Sequence, residues 1–430
     1  MSRMLLDVVE EHLDEASWQW LQRDRCLLAP DYDLVETATV EERLLAHVDG
    51  LVVAGSGAAE TILVPALAPE DPCRAAAAAL ALLEGGEEEW ALLLEKGLSD
   101  PELRPLLRAS LELAECPDVD PRLGTLLGTS VPGLLADVVG TLATRGALPS
   151  NLVGRFLQHE DACVRNSALA GAIAAPRPEF RKPLLGLLES GPSAPSASLM
   201  DTGLVHGLRE AWGACESAVK AGEHEALVLW ALGGCAKDVL RLVDLLDQAP
   251  LRAPVLWALG FSGRKEAADA CLAWMEDSKV AALAGEAFGA ITGLRLEGDF
   301  TVAQSEDSDA SMPFAEDDLN ADLTPRPEDD LPLPRAHAVA AWWRGTRSGF
   351  ESGRRYLRGR LLDAAVLMEG LAVEPMRRRH VLARELALRT RGACRVQTRA
   401  RVSQQRAMLQ QIASSQVQFR LQTPLAQALG

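Results

Sequence analysis

The heptapeptide Val228-Leu-Trp-Ala-Leu-Gly-Gly234 returns 27 residues later as Val255-Leu-Trp-Ala-Leu-Gly-Phe261. A fixed period near 30 in an Ala- and Leu-rich chain restricts the fold to stacked helix pairs, since one pair cannot bury its apolar face alone. Fainter copies flank the two phrases. Ala284-Gly-Glu-Ala-Phe-Gly-Ala290 starts 29 residues after Val255 and is led in by Asp277-Ser-Lys-Val280. Asp161-Ala-Cys-Val-Arg165 leads into Ala168-Leu-Ala-Gly-Ala172, and Asp71-Pro-Cys-Arg74 into Ala75–Leu83. Arg74, Arg165 and Arg252 are 91 and 87 residues apart, each close to three repeat lengths. The pattern predicts an all-α chain, an α-solenoid of helical repeats.

An aspartate ahead of each helix can cap its free N–H groups. Small residues let neighbouring helices approach, while Leu, Val and Trp fill the gaps between them. These units resemble HEAT-type repeats, in the short bacterial form also seen in the phycobilisome-lyase group, over roughly residues 40–293. The composition agrees: 48% hydrophobic but only 4% aromatic residues favour a helical core over a β-sandwich. No run of about 18 apolar residues marks a membrane span. The start, Met1-Ser-Arg-Met-Leu-Leu-Asp7, turns acidic too early for a signal peptide. The eight cysteines form no CxxC, which reads as free thiols in a reducing cytoplasm.

Charge is segregated along the chain. The net charge is −18, yet Arg335 to the end holds 18 arginines, no lysine and five acids, a balance of +13. Ahead of it, 25 basic and 56 acidic residues give −31. Glu297–Asp330 carries 12 acids against the single Arg326, too polar and proline-rich to fold by itself. The expected regions are a helical cap at 1–39, a repeat solenoid at 40–296 and an acidic disordered linker at 297–331. A basic helical C-terminal module at 332–415 and a fraying tail at 416–430 complete the chain. Ser190-Gly-Pro-Ser-Ala-Pro-Ser-Ala-Ser198 predicts a loop or hinge within the solenoid.

The C-terminal module carries a second resemblance. Ala341-Trp-Trp-Arg344, Gly353-Arg-Arg-Tyr-Leu-Arg-Gly359, Met376-Arg-Arg-Arg-His380 and Ala383-Arg-Glu-Leu-Ala-Leu-Arg389 join Glu41-Glu-Arg-Leu-Leu-Ala-His-Val-Asp-Gly-Leu51 near the front. Together they are similar to a proteobacterial family of HEAT-like proteins encoded near type VI secretion spike proteins, their adaptors and effectors. That family has no assigned activity. The resemblance implies a cytoplasmic accessory protein of a secretion system.

No catalytic, cofactor or metal motif accompanies these signals: HExxH, GxSxG, a Walker loop and GxGxxG are all missing. His159 and Cys163, four residues apart, would share a helix face, but no third ligand or orienting group lies at useful spacing. His206 and His224 read as structural or exposed. The acidic pairs Glu10/Glu11, Glu41/Glu42 and Glu87–Glu89 read as solvated helix faces or first-turn dipole partners. Trp230 and Trp257, in register at the centres of two apolar helices, read as core residues, with Trp274 beside them.

The arginine cluster admits three readings, of which a merely solvated face is the plainest. Arg354, Arg355, Arg358 and Arg360 with Trp342, Trp343 and Tyr356, and the patch Arg377, Arg378 and Arg379, combine cations with stacking surfaces, as single-strand nucleic-acid binders do. The −31 on the rest of the chain would repel a polyanion at contact. Pairing with carboxylates, of this chain or of a protein partner, is therefore favoured. Trp342, Trp343 and Tyr356 then serve as structural anchors of the module. The sequence reads as a non-catalytic protein-binding scaffold, an adaptor or chaperone-like protein for a type VI effector or spike component. An immunity protein masking a basic toxin, and a lyase-like enzyme or toxin with its site in the C-terminal module, are the alternatives.

Overall fold

The structure is a computed structural model. It describes residues 6–93, 97–189, 195–302, 326–415 and 417–429. The described chain is mostly helical, with one two-residue hairpin pairing Tyr356–Leu357 with Arg360–Leu361.

The repeated phrases fall where the period places them. Val228–Gly233 lies in helix His224–Gly233, Val255–Phe261 in Arg252–Ser262 and Ala284–Ala290 in Ala281–Thr292. Each of these helices packs on the next. The same holds from Pro72–Glu84 through Arg104–Leu113, Pro132–Arg145 and Ala162–Ala174 to Ala197–Val205. Helix Arg209–Lys220 touches both Ala197–Val205 and His224–Gly233, joining the two runs. Shorter helices such as Val119–Thr125, Ser150–Phe156, Ala236–Asp244 and Lys265–Ala273 form the connecting layer.

Enclosure on every side explains the near-continuous apolar runs. Ala226 to Gly233 and Ala75 to Leu83 are buried without a break. Small residues set the spacing: a Cβ on Gly260 would come within 3.0 Å of the Ala287 backbone on the next helix. The predicted caps are present. Asp71 accepts from the Arg74 amide, and Asp161 from those of Cys163 and Val164. Two of the repeat arginines clamp the preceding turn, while Arg74 pairs with Asp14. Arg165 donates to the carbonyl of His159 and Arg252 to that of Leu246, six residues back in both cases.

Several expected boundaries meet the structure differently. Helix Leu34–Ala54 runs through the 39/40 division, because its capping box at Asp33 and Glu36 starts it earlier. The 416–430 segment is packed at Leu421, Leu425 and Leu429, and Gln422 exchanges hydrogen bonds with the Arg355 backbone. Of the acidic linker, 303–325 lies outside the described residues, as do Ser305, Ser308 and Ser311. Its two flanks meet: the Val302 amide donates to Leu333 and the Arg335 amide to Phe300. Residues 190–194 of the expected hinge also lie outside the described residues, whereas Ser196 caps helix Ala197–Val205.

Candidate interface between the arginine module and the helical body

The last turn of any α-helix leaves carbonyls without intrahelical partners, and these carry partial negative charge. The C-terminal module lies against several such helix ends. Arg401 donates through Nε to the Leu113 carbonyl at 2.8 Å, ending helix Arg104–Leu113. Arg389 reaches Leu232 at 2.8 Å, ending His224–Gly233. At the end of Arg252–Ser262, Arg378 reaches Gly260 at 3.2 Å, while Arg355 reaches Phe261 and Ser262, each at 3.0 Å.

The hairpin continues the pattern with main-chain donors. The amides of Arg358 and Gly359 bond Ala290 and Ile291, and that of Tyr356 bonds Gly263 at 2.6 Å. Gly263 and Gly293 have φ of +67° and +78°, and a Cβ on either would lie 2.5 Å from a hairpin carbonyl. A left-handed glycine at these helix ends permits the close approach.

Carboxylates supply the rest of the contact. Arg384 pairs with Asp201 at 2.8 Å and Glu225 at 2.9 Å. Arg401 pairs with Glu84 and, at 3.4 Å, Glu115. Arg347 holds Asp269 by two bonds of 2.7 and 2.6 Å, and Trp343 Nε1 adds a third at 2.8 Å. Burial alone would push Asp269 up, but the Arg347 and Trp343 hydrogen bonds hold it below the ordinary carboxylate range. Glu286 is pushed up by burial, opposed by Arg378 and Arg377 at 4.0 and 3.6 Å.

The innermost group is cationic. Arg355 and Arg389 share the buried Glu385, and Arg264 approaches from the helical body. Burial lowers Arg389 to about 10, partly offset by Glu385. Main-chain carbonyls of Gly234, Gly353, Leu421 and Thr423 take further donors, while Arg264 Nε is buried without one.

The N-terminal helices meet the module too. Arg23 and Glu41 form a buried pair at 2.8 Å. Glu41 also accepts from the Val402 amide at 2.6 Å, and Arg23 donates to the Arg399 carbonyl at 2.7 Å. His380 accepts from the Thr398 hydroxyl through Nδ1, at 2.6 Å, and donates through Nε2 to the Leu27 carbonyl at 2.8 Å. Burial lowers its pKa to about 4, so the ring is neutral and this tautomer is fixed by the carbonyl acceptor.

The arginines singled out in the sequence therefore divide. Arg355, Arg378 and Arg379 are inside the molecule, and no partner reaches them. Arg379 bonds the Leu371 carbonyl and Gln405, and burial lowers it to about 10. Arg377 lies 4.5 Å over the Trp257 ring and faces Glu286. Arg354 and Arg360 face solvent and Arg358 is half-buried, each beside an acid of the same module: Glu351, Glu369 and the buried Glu374 respectively.

Of the expected anchors, Trp230 stacks on Trp212 at 4.7 Å and Trp343 packs edge-on to Phe288 at 5.3 Å. Tyr356 accepts the Glu351 amide, and Trp342 and Trp257 are half-buried. Trp274 packs under Arg252 at 4.0 Å. Glu41 is buried and ion-paired, unlike the exposed Glu42. His159 precedes the cap of helix Ala162–Ala174, so it shares no helix with the exposed Cys163. His206 is buried against the Ala172 carbonyl.

Residues outside the sequence-derived set complete the contact: Arg264, Arg384, Arg389, Arg401 and Glu385. The signal for Arg378, Glu385 and Arg389 was their spacing of seven and four, which puts them on one helix face.

No family model and no curated protein matches the chain. A solved structure described as an engineered protein aligns with 65% of this chain and 87% of its own length, at 17% identity and a TM-score of 0.28. That overlap bears on neither fold nor function. Among the described residues no group of three or more His, Cys, Asp or Glu side chains is placed to hold a metal ion. No described helix is long and apolar enough to cross a membrane.

Proposed function

We propose that the chain is an α-solenoid of HEAT-like repeats acting as a cytoplasmic binding scaffold for a basic protein surface. The best-fitting context is an accessory or adaptor role for a type VI secretion effector or spike component. One observation carries this reading: the module directs much of its positive charge inward, onto helix ends and buried acids, so exposed carboxylates dominate the N-terminal helices. The contact reading thus shifts from the arginine cluster to those acids.

The first helix offers the best patch. Glu11 and Glu15 are exposed around Trp18, which is 54% exposed, and Asp14 beside them pairs with Arg74. An exposed tryptophan ringed by acids suits a cationic, partly apolar partner, since tryptophan is a frequent interface hot spot. Acidic steering would quicken association.

The test uses the full-length protein with purified spike, adaptor and effector proteins encoded beside it. Binding that weakens with salt and is lost in Trp18→Ala is the expected result. Binding confined to one toxin, with protection of cells, would mean immunity instead. Failure to bind any of them at low salt would end the proposal.

A further inference from the structure

A cavity of about 260 Å³ opens where the module meets helices Pro132–Arg145 and Ala162–Ala174. Three polar side chains on its wall have no partner among the described residues: the Arg395 guanidinium, the Gln397 amide and the Thr144 hydroxyl. No carboxylate lines it. The neighbouring cavity shares Thr144 and Gln397 and does include Glu112, but that acid is bound to Arg108 at 2.7 Å.

Thr398 also lines the wall, with its proton committed to His380. Arg384 contributes there too, but Asp201 and Glu225 already neutralise it. Ile173, Val396 and Ala387 provide apolar surface.

Elsewhere in this interface a buried arginine is met by a carboxylate or a carbonyl. Arg395 is half-buried and has neither. Burial alone lowers its pKa, with no neighbouring charge to offset the cost. A desolvated cation beside two free hydrogen-bonding groups is the arrangement that recognises an anion, most strongly by paired guanidinium–oxygen bonds.

We propose that this cavity is a binding site for a small carboxylate- or phosphate-bearing anion, held by Arg395 with Thr144 and Gln397. Its walls come from both the helical body and the module. The anion therefore binds only the docked arrangement and stabilises it by mass action.

The test is thermal unfolding of the full-length protein with inorganic phosphate or succinate, at ionic strength held constant with sodium chloride. A saturable rise in Tm is expected with at least one of them, and the responding ion identifies the source. Arg395→Gln should abolish the rise while leaving the ligand-free Tm unchanged or higher, because it removes an unpaired buried charge. Thr144→Val should shift saturation to higher concentration. Three results would overturn the site: no rise with either ion, an equal rise in Arg395→Gln, or a ligand-free Tm lowered by that substitution.

Discussion

The stacked helices and the module that crosses their ends are both buried, by opposite chemistry. Between helices, contacts are Ala, Leu, Val and Phe, such as Leu256, Leu259 and Phe288, which need only volume and shape. Between body and module, apolar contacts such as Trp343 on Phe288 are joined by guanidinium contacts to carboxylate and carbonyl, each requiring its own partner at hydrogen-bond distance. Apolar packing tolerates substitution at matched volume. A buried charge stripped of its partner does not. The body is thus held by quantity of burial, and the module adds buried pairing to its own share of the same apolar core.

The largest expected effect lies in the module. Glu385→Ala removes the shared counter-charge of Arg355 and Arg389, and about 3–5 kcal/mol of stability should be lost in denaturant titration. A loss no larger than that of an exposed acid would refute the pairing account. Leu259→Ala provides the apolar counterpart, with an expected cost of about 2–5 kcal/mol. The two should differ in kind: a conservative Leu259→Met should restore most of the loss, whereas Glu385→Met should not.

The next effect is on pH. His380 falls from its ordinary 6.5 to about 4, so between these values the unfolded chain takes up the proton first. Its contribution is complete above about pH 6.5 and is lost as pH falls toward 4, amounting to about 3 kcal/mol at most. Burial lowers His206 in the same sense. Asp201 and Glu286, raised by burial, act in the opposite sense, from their ordinary 3.8 and 4.5 upward. Subtracting the pH profile of His380→Gln isolates the His380 share. Identical slopes in both proteins would refute it.

Arg401→Gln should cost about 1–3 kcal/mol by freeing the Leu113 carbonyl and two part-exposed acids. Smallest of all, Arg354→Ala and Arg360→Ala should each change stability by less than about 0.5 kcal/mol, because their acid partners are solvated.

Much of the body was legible in the sequence. The period located the helices, and Asp71 and Asp161 marked their starts, because capping is local and needs only a residue type at a set offset. Charge segregation was legible too, and with it carboxylate pairing of the arginines. Which arginine turns inward was not. Arg354 and Arg355 are neighbours, yet the second is buried because the hairpin edge aims it at the ends of Phe261 and Ser262. Glu41 and Glu42 divide likewise, since adjacent helix positions point about 100° apart. Both outcomes depend on elements distant in sequence: Arg355 meets Phe261 across 94 positions and Glu41 meets Val402 across 361.

Amide hydrogen exchange on the full-length protein tests the central claim most directly. If the module is docked through buried arginines, amides of helix Met376–Arg389 should be protected as well as those of His224–Gly233 and Arg252–Ser262. Protection there should fall in Glu385→Ala before the body is affected. Rapid exchange of Met376–Arg389 in the unaltered protein, beside a protected body, would contradict the account.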